Sequence, residues 1–163
     1  MSVLKRLKDY LDREKVPFKV LTHSETFTAP ELAQALHVPG KELAKVVMVK
    51  ADERFVVTVL SANRKVDLKR LKEIFRTSHV RLATEAEFTE LFPDCELGAM
   101  PPFGNLYSLE VYVDQSLTAD EEIVFQAGTR HEAVKLRYQN FASLVRPRVA
   151  EFHVATTGPK TDP

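Results

Sequence analysis

A short loop in the middle of the chain combines residue types that could present backbone donors to a ligand. Residues 95–104 read Cys-Glu-Leu-Gly-Ala-Met-Pro-Pro-Phe-Gly, so two glycines and a Pro-Pro pair lie next to a methionine and a phenylalanine that would normally be buried. Glycine allows close approach to the backbone, and proline fixes φ and removes one donor. The pattern therefore predicts either a rigid segment whose remaining N–H groups can contact a ligand, or a tight structural turn.

A lysine stands at the entry to the most apolar predicted strand. Lys45 lies in the run Ala-Lys-Val-Val-Met-Val at 44–49, whereas Lys50 has the position of an ordinary strand-end charge. Buried lysines are rare without a partner, so the Lys45 ammonium must either extend to solvent or point into a pocket. The residues alone support these two interpretations equally.

Motifs for several other chemistries are missing from the sequence. The five histidines have no metal-binding spacing, and there is no P-loop, Rossmann glycine motif or G-x-S-x-G elbow. Cys95 stands beside Glu96 without an electropositive neighbour in sequence, which favours an incidental thiol over a nucleophile. We therefore expect no metal site and no cofactor.

The composition is that of an ordinary globular protein. Of 163 residues, 44% are hydrophobic and 28% charged, and the formal net charge is +0. This balance gives no global attraction to a long polyanion, so DNA is not expected as a partner, although a few local cations could bind an RNA end. The single cysteine excludes an internal disulfide. Without a bilayer-length apolar run or a signal peptide, a cytoplasmic protein with no membrane association is expected.

Apolar periodicity predicts short strands between irregularly spaced helices. Helices are expected at 2–14, 28–38, 67–75, 84–92 and 141–145, with capping boxes at Thr28/Glu31 and Thr84/Glu87. Strands are expected near 18–20 and at 46–49, 55–60, 80–82, 106–113, 123–127, 133–137 and 149–154. The second and third strands would form a central hairpin that is buried on both faces.

This order of elements predicts an α/β (α+β) single domain with a mixed, strongly bent or barrel-like β-sheet surrounded by helices. Regular alternation, which a doubly wound parallel sheet would need, is not seen. The domain is expected to span residues 1–152. Residues 153–163 are expected to form a flexible C-terminal tail, because 156–163 contains two prolines and no large apolar side chain.

Three segments occur in the order found in one protein family. They are Ala44-Lys45 before an apolar strand, the loop at 98–104, and Phe-Gln-Ala-Gly-Thr at 125–129. Over about residues 1–152 the chain resembles the YbaK/prolyl-tRNA-synthetase-associated domain family of aminoacyl-tRNA deacylases. The resemblance implies a free-standing trans-editing enzyme that hydrolyses the ester bond of a mischarged tRNA, with prolyl-tRNA-type editing favoured. It also implies catalysis without a metal or a protein nucleophile, aided by the vicinal ribose hydroxyl, and an aminoacyl-tRNA synthetase as a further partner.

The resemblance implies roles for individual residues. Lys45 matches the family's essential lysine, which would hold the phosphate or ribose of the tRNA acceptor end. Gly98 and Ala99 match the loop whose N–H groups face the ester carbonyl and would stabilise the oxyanion. The implied substrate-binding residues shape the amino-acid pocket and the turn opposite the loop: Pro101, Pro102, Phe103, Gly128, Thr129, Arg130 and His131.

The chain departs from the family pattern at this turn. Many relatives read Gly-Thr-His, whereas this chain reads Gly128-Thr129-Arg130-His131, so either Arg130 takes over the tRNA contact or His131 reaches in from a shifted turn. Ala127 stands where some cysteine-specific members have serine, which weakens a cysteinyl assignment. Two other functions stay open: a non-catalytic module that binds an aminoacyl group or a tRNA end, and a hydrolase of small esters.

Overall fold

The computed structural model describes residues 3–24, 29–96 and 98–154, which contain five α-helices, eight β-strands and three short 3-10 turns. The helices are α1 (Val3–Arg13), α2 (Ala29–Leu36), α3 (Leu68–Phe75), α4 (Glu85–Leu91) and α5 (Tyr138–Val145). The strands are β1 (Lys19–Thr22), β2 (Ala44–Ala51), β3 (Arg54–Ser61), β4 (Val80–Leu82), β5 (Glu110–Asp114), β6 (Glu122–Gln126), β7 (Glu132–Arg137) and β8 (Arg148–Ala150).

The strands form two sheets. One has the order β4-β2-β3-β5-β8 and the other the order β1-β7-β6. The larger sheet is mixed, because β2 pairs antiparallel with β3 whereas β5 runs parallel to both β3 and β8. The predicted α/β domain with a mixed sheet and peripheral helices is thereby confirmed. Within the described ranges, however, the strands do not close into a barrel: the sheets meet at an isolated parallel bridge between Leu43 and Val124.

Local signals fix the starts of two helices. The predicted capping box of α4 is present, because the Thr84 hydroxyl accepts from the Glu87 N–H and the Glu87 carboxylate accepts from the Thr84 N–H at 2.8 Å. Asp67 caps α3 by accepting two N–H groups of its first turn. The box predicted at Thr28 lies outside the described residues.

Two predicted strand boundaries were wrong. The strand expected over 106–113 begins only at Glu110, because residues 104–107 form a 3-10 turn that ends at Ser108 in a left-handed conformation, with φ 59°. The strand expected over 149–154 stops at Ala150, after which the Phe152 and His153 N–H groups donate to a side chain, the Asp114 carboxylate. The division into a domain of residues 1–152 and a tail stays a prediction; residues 155–163 lie outside the described part of the chain.

Three apolar clusters fill the interior. The largest packs one face of the β2–β3 hairpin against α1, α5, β6 and β7, and a second packs the opposite face around Leu71 of α3. The predicted burial of the hairpin on both faces is therefore confirmed. The third cluster lies where the sheets meet and joins Leu32 of α2 to Leu43, Val124 and Leu21.

Candidate active site

Lys45 lies where the two sheets meet. Within the larger sheet it pairs with Leu60 of β3. On its other side, β4 pairs only with residues 49–51 of β2, and the start of β2 instead meets β6 through the Leu43–Val124 bridge. Because the bridge is parallel, the chain runs from Leu43 to Lys45 alongside the part of β6 that leads into the Gly128 turn.

Strand alternation assigns Lys45 to a definite face. Residues two apart in a strand share a face, so Lys45 lies on the same face as Leu43, which belongs to the cluster beneath α2. The registers bring Gln126, Ala133 and Leu21 into one row across the smaller sheet. Lys45 of the larger sheet follows Leu43 by two residues, as Gln126 follows its bridge partner Val124, so the parallel bridge points Lys45 toward the end of this row. Leu21 and Ala133 continue the apolar cluster, whereas Lys45 and Gln126 add polar groups at its margin.

The electrostatic environment of Lys45 favours an anionic ligand. The side chain is half-buried. Burial lowers the pKa of its ammonium from the ordinary value, and the nearby charge of Lys65 lowers that pKa further. No carboxylate among the described residues forms an ion pair with Lys45. A partly desolvated cation without an acidic partner is stabilised when a phosphate or another anion binds to it.

The Gly98 loop is hydrogen-bonded to the Gly128 turn. The Glu96 N–H donates to the Gly128 carbonyl and the Gly128 N–H to the Ala99 carbonyl, both at 2.8 Å. The Arg130 N–H donates to the Glu96 carboxylate at 2.6 Å. Both glycines are left-handed, with φ 83° at Gly98 and 98° at Gly128, so each suits glycine best. The two segments therefore lie side by side as one continuous wall, whereas the family resemblance implied that they face each other across the site.

The two residues proposed as oxyanion donors differ in their hydrogen bonding. The Ala99 N–H donates to the Glu96 carbonyl at 3.0 Å and closes a turn. Gly98 is exposed, and its N–H makes no hydrogen bond within the described residues. In this geometry Gly98 is the member of the pair whose donor is available to a ligand.

The second half of the loop is an anchor in the core. Phe103 is 0% exposed, and its ring lies 5.5 Å from that of Phe125 and 5.4 Å from that of Phe141, centroid to centroid. Pro101 and Pro102 are also buried. The structure thus assigns the proline and phenylalanine residues a supporting position behind the exposed Gly98.

The turn between β6 and β7 has its own internal hydrogen bonds. The Thr129 hydroxyl donates to the Glu132 carboxylate at 3.1 Å and accepts from the His131 N–H at 3.2 Å. Arg130 is partly buried, whereas His131 is exposed and its carbonyl accepts from the His23 N–H at 2.9 Å. The two alternatives for the position of the family histidine, Arg130 and His131, stay predictions.

Cys95 has the properties of an unreactive thiol. Burial raises its pKa to about 11, against the opposing effect of a contact with the Tyr107 hydroxyl at 3.5 Å. The thiol therefore stays protonated at neutral pH, which favours the interpretation of Cys95 as an incidental thiol. Among the residues that the structure describes, no group of three or more His, Cys, Asp and Glu side chains could hold a metal ion.

The sequence pattern did not identify two residues that belong to this part of the candidate site, Glu96 and His23. Glu96 holds the turn through its carboxylate, and His23 extends β1 beside it. Neither residue carries a local signal, because both acquire their neighbours only through contacts between distant parts of the chain.

Among the described helices, none combines the length with the apolar character that a membrane crossing requires.

The chain belongs to the aminoacyl-tRNA editing domain family, whose family model matches residues 23–144. That range includes Lys45, the Gly98 loop and the Gly128 turn. The resemblance expected from the sequence is thereby confirmed, together with the class of activity it implied, hydrolysis of an aminoacyl-tRNA.

Individual relatives agree with this assignment. The chain is 28% identical over 152 residues to the multifunctional Ser/Thr-tRNA deacylase ProXp-y of Escherichia coli K12, with 90% of each chain covered. It is 29% identical over 108 residues to a proline–tRNA ligase of Bacillus cytotoxicus, a match that covers 66% of this chain and 19% of the ligase. A crystal structure described as a candidate trans-editing enzyme for prolyl-tRNA synthetase has the same fold, with a TM-score of 0.83 at 22% identity over 95% of this chain and 99% of the other.

Proposed function

We propose that this protein is a trans-editing deacylase that acts on the acceptor end of mischarged tRNA, of the prolyl-tRNA type. The observation that carries this proposal is the half-buried Lys45 ammonium, without an acidic partner among the described residues, on a strand beside the Gly98–Gly128 wall. The coverage of both segments by the editing-domain family supports the same reaction.

Lys45 would bind the phosphate or ribose of the terminal adenosine. Its ammonium is a compact charge with three donors on a flexible stem, so it can approach an oxygen ligand from the edge of the sheet. Binding the nucleotide would hold the ester near the Gly98 wall. This positioning lowers the entropic cost of reaching the transition state.

Gly98 would supply the donor for the tetrahedral intermediate. When water attacks the ester carbonyl, negative charge develops on the carbonyl oxygen, and a preorganised N–H stabilises that charge. The intermediate then breaks the bond between the carbonyl carbon and the ribose oxygen, which takes up a proton. The products are a free amino acid and an uncharged tRNA.

The relatives guide the choice of substrates. The E. coli relative is named as a Ser/Thr-tRNA deacylase, and several other relatives are proline–tRNA ligases. A proline tRNA charged with serine or threonine is therefore the first substrate to test, and the same tRNA charged with alanine, whose side chain lacks the hydroxyl group, completes the panel as a comparison. A prolyl-tRNA synthetase is the proposed partner whose errors would be corrected.

A deacylation assay with Lys45→Ala tests the proposal. We expect the wild type to hydrolyse at least one mischarged tRNA of the panel, and Lys45→Ala to lose at least 100-fold in kcat/KM with an unchanged thermal midpoint. Lys72→Ala is the matched control, because Lys72 is an exposed lysine on α3. Full activity of Lys45→Ala would refute the role of the lysine.

The same assay separates the two alternative functions. A non-catalytic module would bind a non-hydrolysable aminoacyl-adenosine analogue while turning over no tRNA in the panel. A hydrolase of small esters would cleave an amino-acid ethyl ester as fast as the tRNA ester, and added uncharged tRNA would not inhibit it. Either result would contradict trans-editing.

A further inference from the structure

The imidazole of His23 contains a buried polar atom to which the proposed reaction gives no role. Its Nε2 atom is inaccessible to solvent and has no hydrogen-bond partner among the described residues. Buried side-chain nitrogens are almost always paired, because an unpaired one loses its hydration without compensation. Such an atom beside an active site is a candidate for contact with the substrate.

The other ring nitrogen fixes the chemistry of Nε2. Nδ1 lies 2.7 Å from the carbonyl oxygen of Ser24. A carbonyl oxygen can only accept, so this contact assigns the proton to Nδ1. In the neutral ring Nε2 then carries a lone pair and is a hydrogen-bond acceptor.

The fold directs His23 toward the same region as Lys45. Its N–H donates to the carbonyl of His131, so the chain after β1 runs along the turn that joins β6 to β7. His23 shares a strand face with Leu21, two residues earlier, and Leu21 belongs to the apolar cluster beneath α2. Lys45 lies on that face as well, two residues after Leu43 of the same cluster.

The separation of the two residues fits a substrate between them. The order β1-β7-β6, continued by the Leu43–Val124 bridge to β2, leaves three strand intervals between His23 and Lys45, or about 14 Å laterally. This is comparable to the length of an aminoacylated nucleotide. With Lys45 on the phosphate or ribose, His23 lies toward the other end of such a molecule.

We propose that His23 is a substrate-binding residue whose Nε2 accepts a hydrogen bond from a donor on the aminoacyl-adenosine end of the tRNA. This inference rests on the proposed function. The available donors are a hydroxyl of the amino-acid side chain, the α-ammonium group and a ribose hydroxyl. A buried acceptor favours substrates that satisfy it, because a substrate without the donor leaves the acceptor unpaired.

Two substitutions separate the acceptor from the rest of the ring. His23→Asn places a polar atom near the position of Nδ1 and keeps the contact with Ser24, but has no atom at Nε2. His23→Gln extends an amide to the position of Nε2. We expect kcat/KM for the best substrate to fall at least 10-fold in His23→Asn and to stay within about threefold of wild type in His23→Gln. Ser24→Ala, which keeps the carbonyl, is the control.

The panel of charged tRNAs identifies the donor. A loss in His23→Asn for seryl and threonyl esters but not for the alanyl ester indicates a side-chain hydroxyl. An equal loss for all three indicates the α-ammonium or the ribose. Activity of His23→Asn within twofold of wild type on every tRNA, or a fall in His23→Gln as large as in His23→Asn, would overturn the inference. If the wild type deacylates no tRNA of the panel, it is the proposed function that fails.

Discussion

At the level of single residues, the site depends on a lysine held in an unfavourable environment for its own charge. Burial and Lys65 both lower the pKa of Lys45 below its ordinary value of 10.5. Between the lowered pKa and 10.5 the unfolded chain binds more protons than the folded one, so the Lys45 contribution to the free energy of unfolding rises with pH in that window. Binding of an anionic ligand requires the charged form of Lys45, so ligand affinity falls as the pH rises through the same window.

Removing the charge of Lys65 tests whether that charge lowers the pKa of Lys45. Lys65→Gln removes a positive neighbour, so the pKa of Lys45 should rise and the alkaline decline of kcat/KM should move to higher pH. The measurement is a pH profile of deacylation, corrected for the uncatalysed hydrolysis of the ester at each pH. Lys72→Gln makes the same charge change elsewhere and should leave the profile in place. An identical alkaline limb in Lys65→Gln and wild type would contradict the coupling.

At the level of elements, the Gly98 loop depends on tight packing at its C-terminal end. The chain packs so closely after Phe103 that a Cβ atom on Gly104 would lie 2.6 Å from Cγ2 of Val111 and 2.9 Å from the carbonyl oxygen of Leu109. The second contact is to backbone and cannot be relieved by a rotamer change. The loop is thus held at one end by close packing on β5 and at the other by hydrogen bonds to the Gly128 turn.

Gly104→Ala should therefore both destabilise the fold and displace the loop. Overpacking of this kind costs about 1–3 kcal/mol, measurable as a lower free energy of unfolding in urea. Deacylation should fall more than the folded fraction does, because the Gly98 donor moves with the loop. Gly40→Ala is the control, since a Cβ there meets its nearest neighbour, Cβ of Asn63, at an ordinary 3.7 Å. Equal stability of the two variants would contradict the packing argument.

At the level of the whole molecule, a buried carboxylate joins the end of the described chain to the sheet. Asp114 of β5 accepts from the N–H groups of Phe152 at 2.8 Å and His153 at 3.1 Å, from His153 Nδ1 at 2.8 Å, and from the Ser116 hydroxyl. Burial by itself raises the pKa of Asp114, but these hydrogen bonds outweigh it and hold the pKa below its ordinary value of 3.8. The stabilisation is complete above 3.8 and is lost as the pH falls through the lowered pKa.

Asp114→Asn should destabilise the protein by about 1–3 kcal/mol at pH 7, because an amide has one acceptor oxygen where the carboxylate has two. Urea unfolding at pH 7 and at pH 3 measures the free energy of unfolding of both proteins. The decrease in that free energy between pH 7 and pH 3 should be smaller in Asp114→Asn than in wild type. Glu110→Gln on the same strand is the control. Its ion pairs with Arg54 and Arg148 are partly exposed and should contribute less than about 1 kcal/mol. A stability of Asp114→Asn equal to that of wild type would show that the carboxylate does not hold the chain end.

Much of the fold could be predicted because its signals are local. The apolar runs of β2 and β3, the Thr84 capping box and the amphipathic α1 each depend on residues within one element. The strand start at Glu110 could not be predicted, because the left-handed turn at Ser108 interrupts a sequence that alternates well enough to continue the strand. The place where the two sheets meet could not be predicted either, because the bridge there joins residues 81 positions apart in sequence, Leu43 and Val124.

By itself, the sequence determined the kind of chemistry: a lysine before an apolar strand, a glycine loop, and no metal or nucleophile motif. Only the tertiary structure decided how these parts cooperate. In the folded chain the Gly98 loop is hydrogen-bonded to the Gly128 turn. The Ala99 N–H donates within its own turn, whereas the Gly98 N–H has no partner among the described residues. The fold also places His23 on the same face as Lys45. The physical reason is that residue types report on local conformation and hydration, whereas the availability of a donor or acceptor depends on partners that only the folded chain supplies.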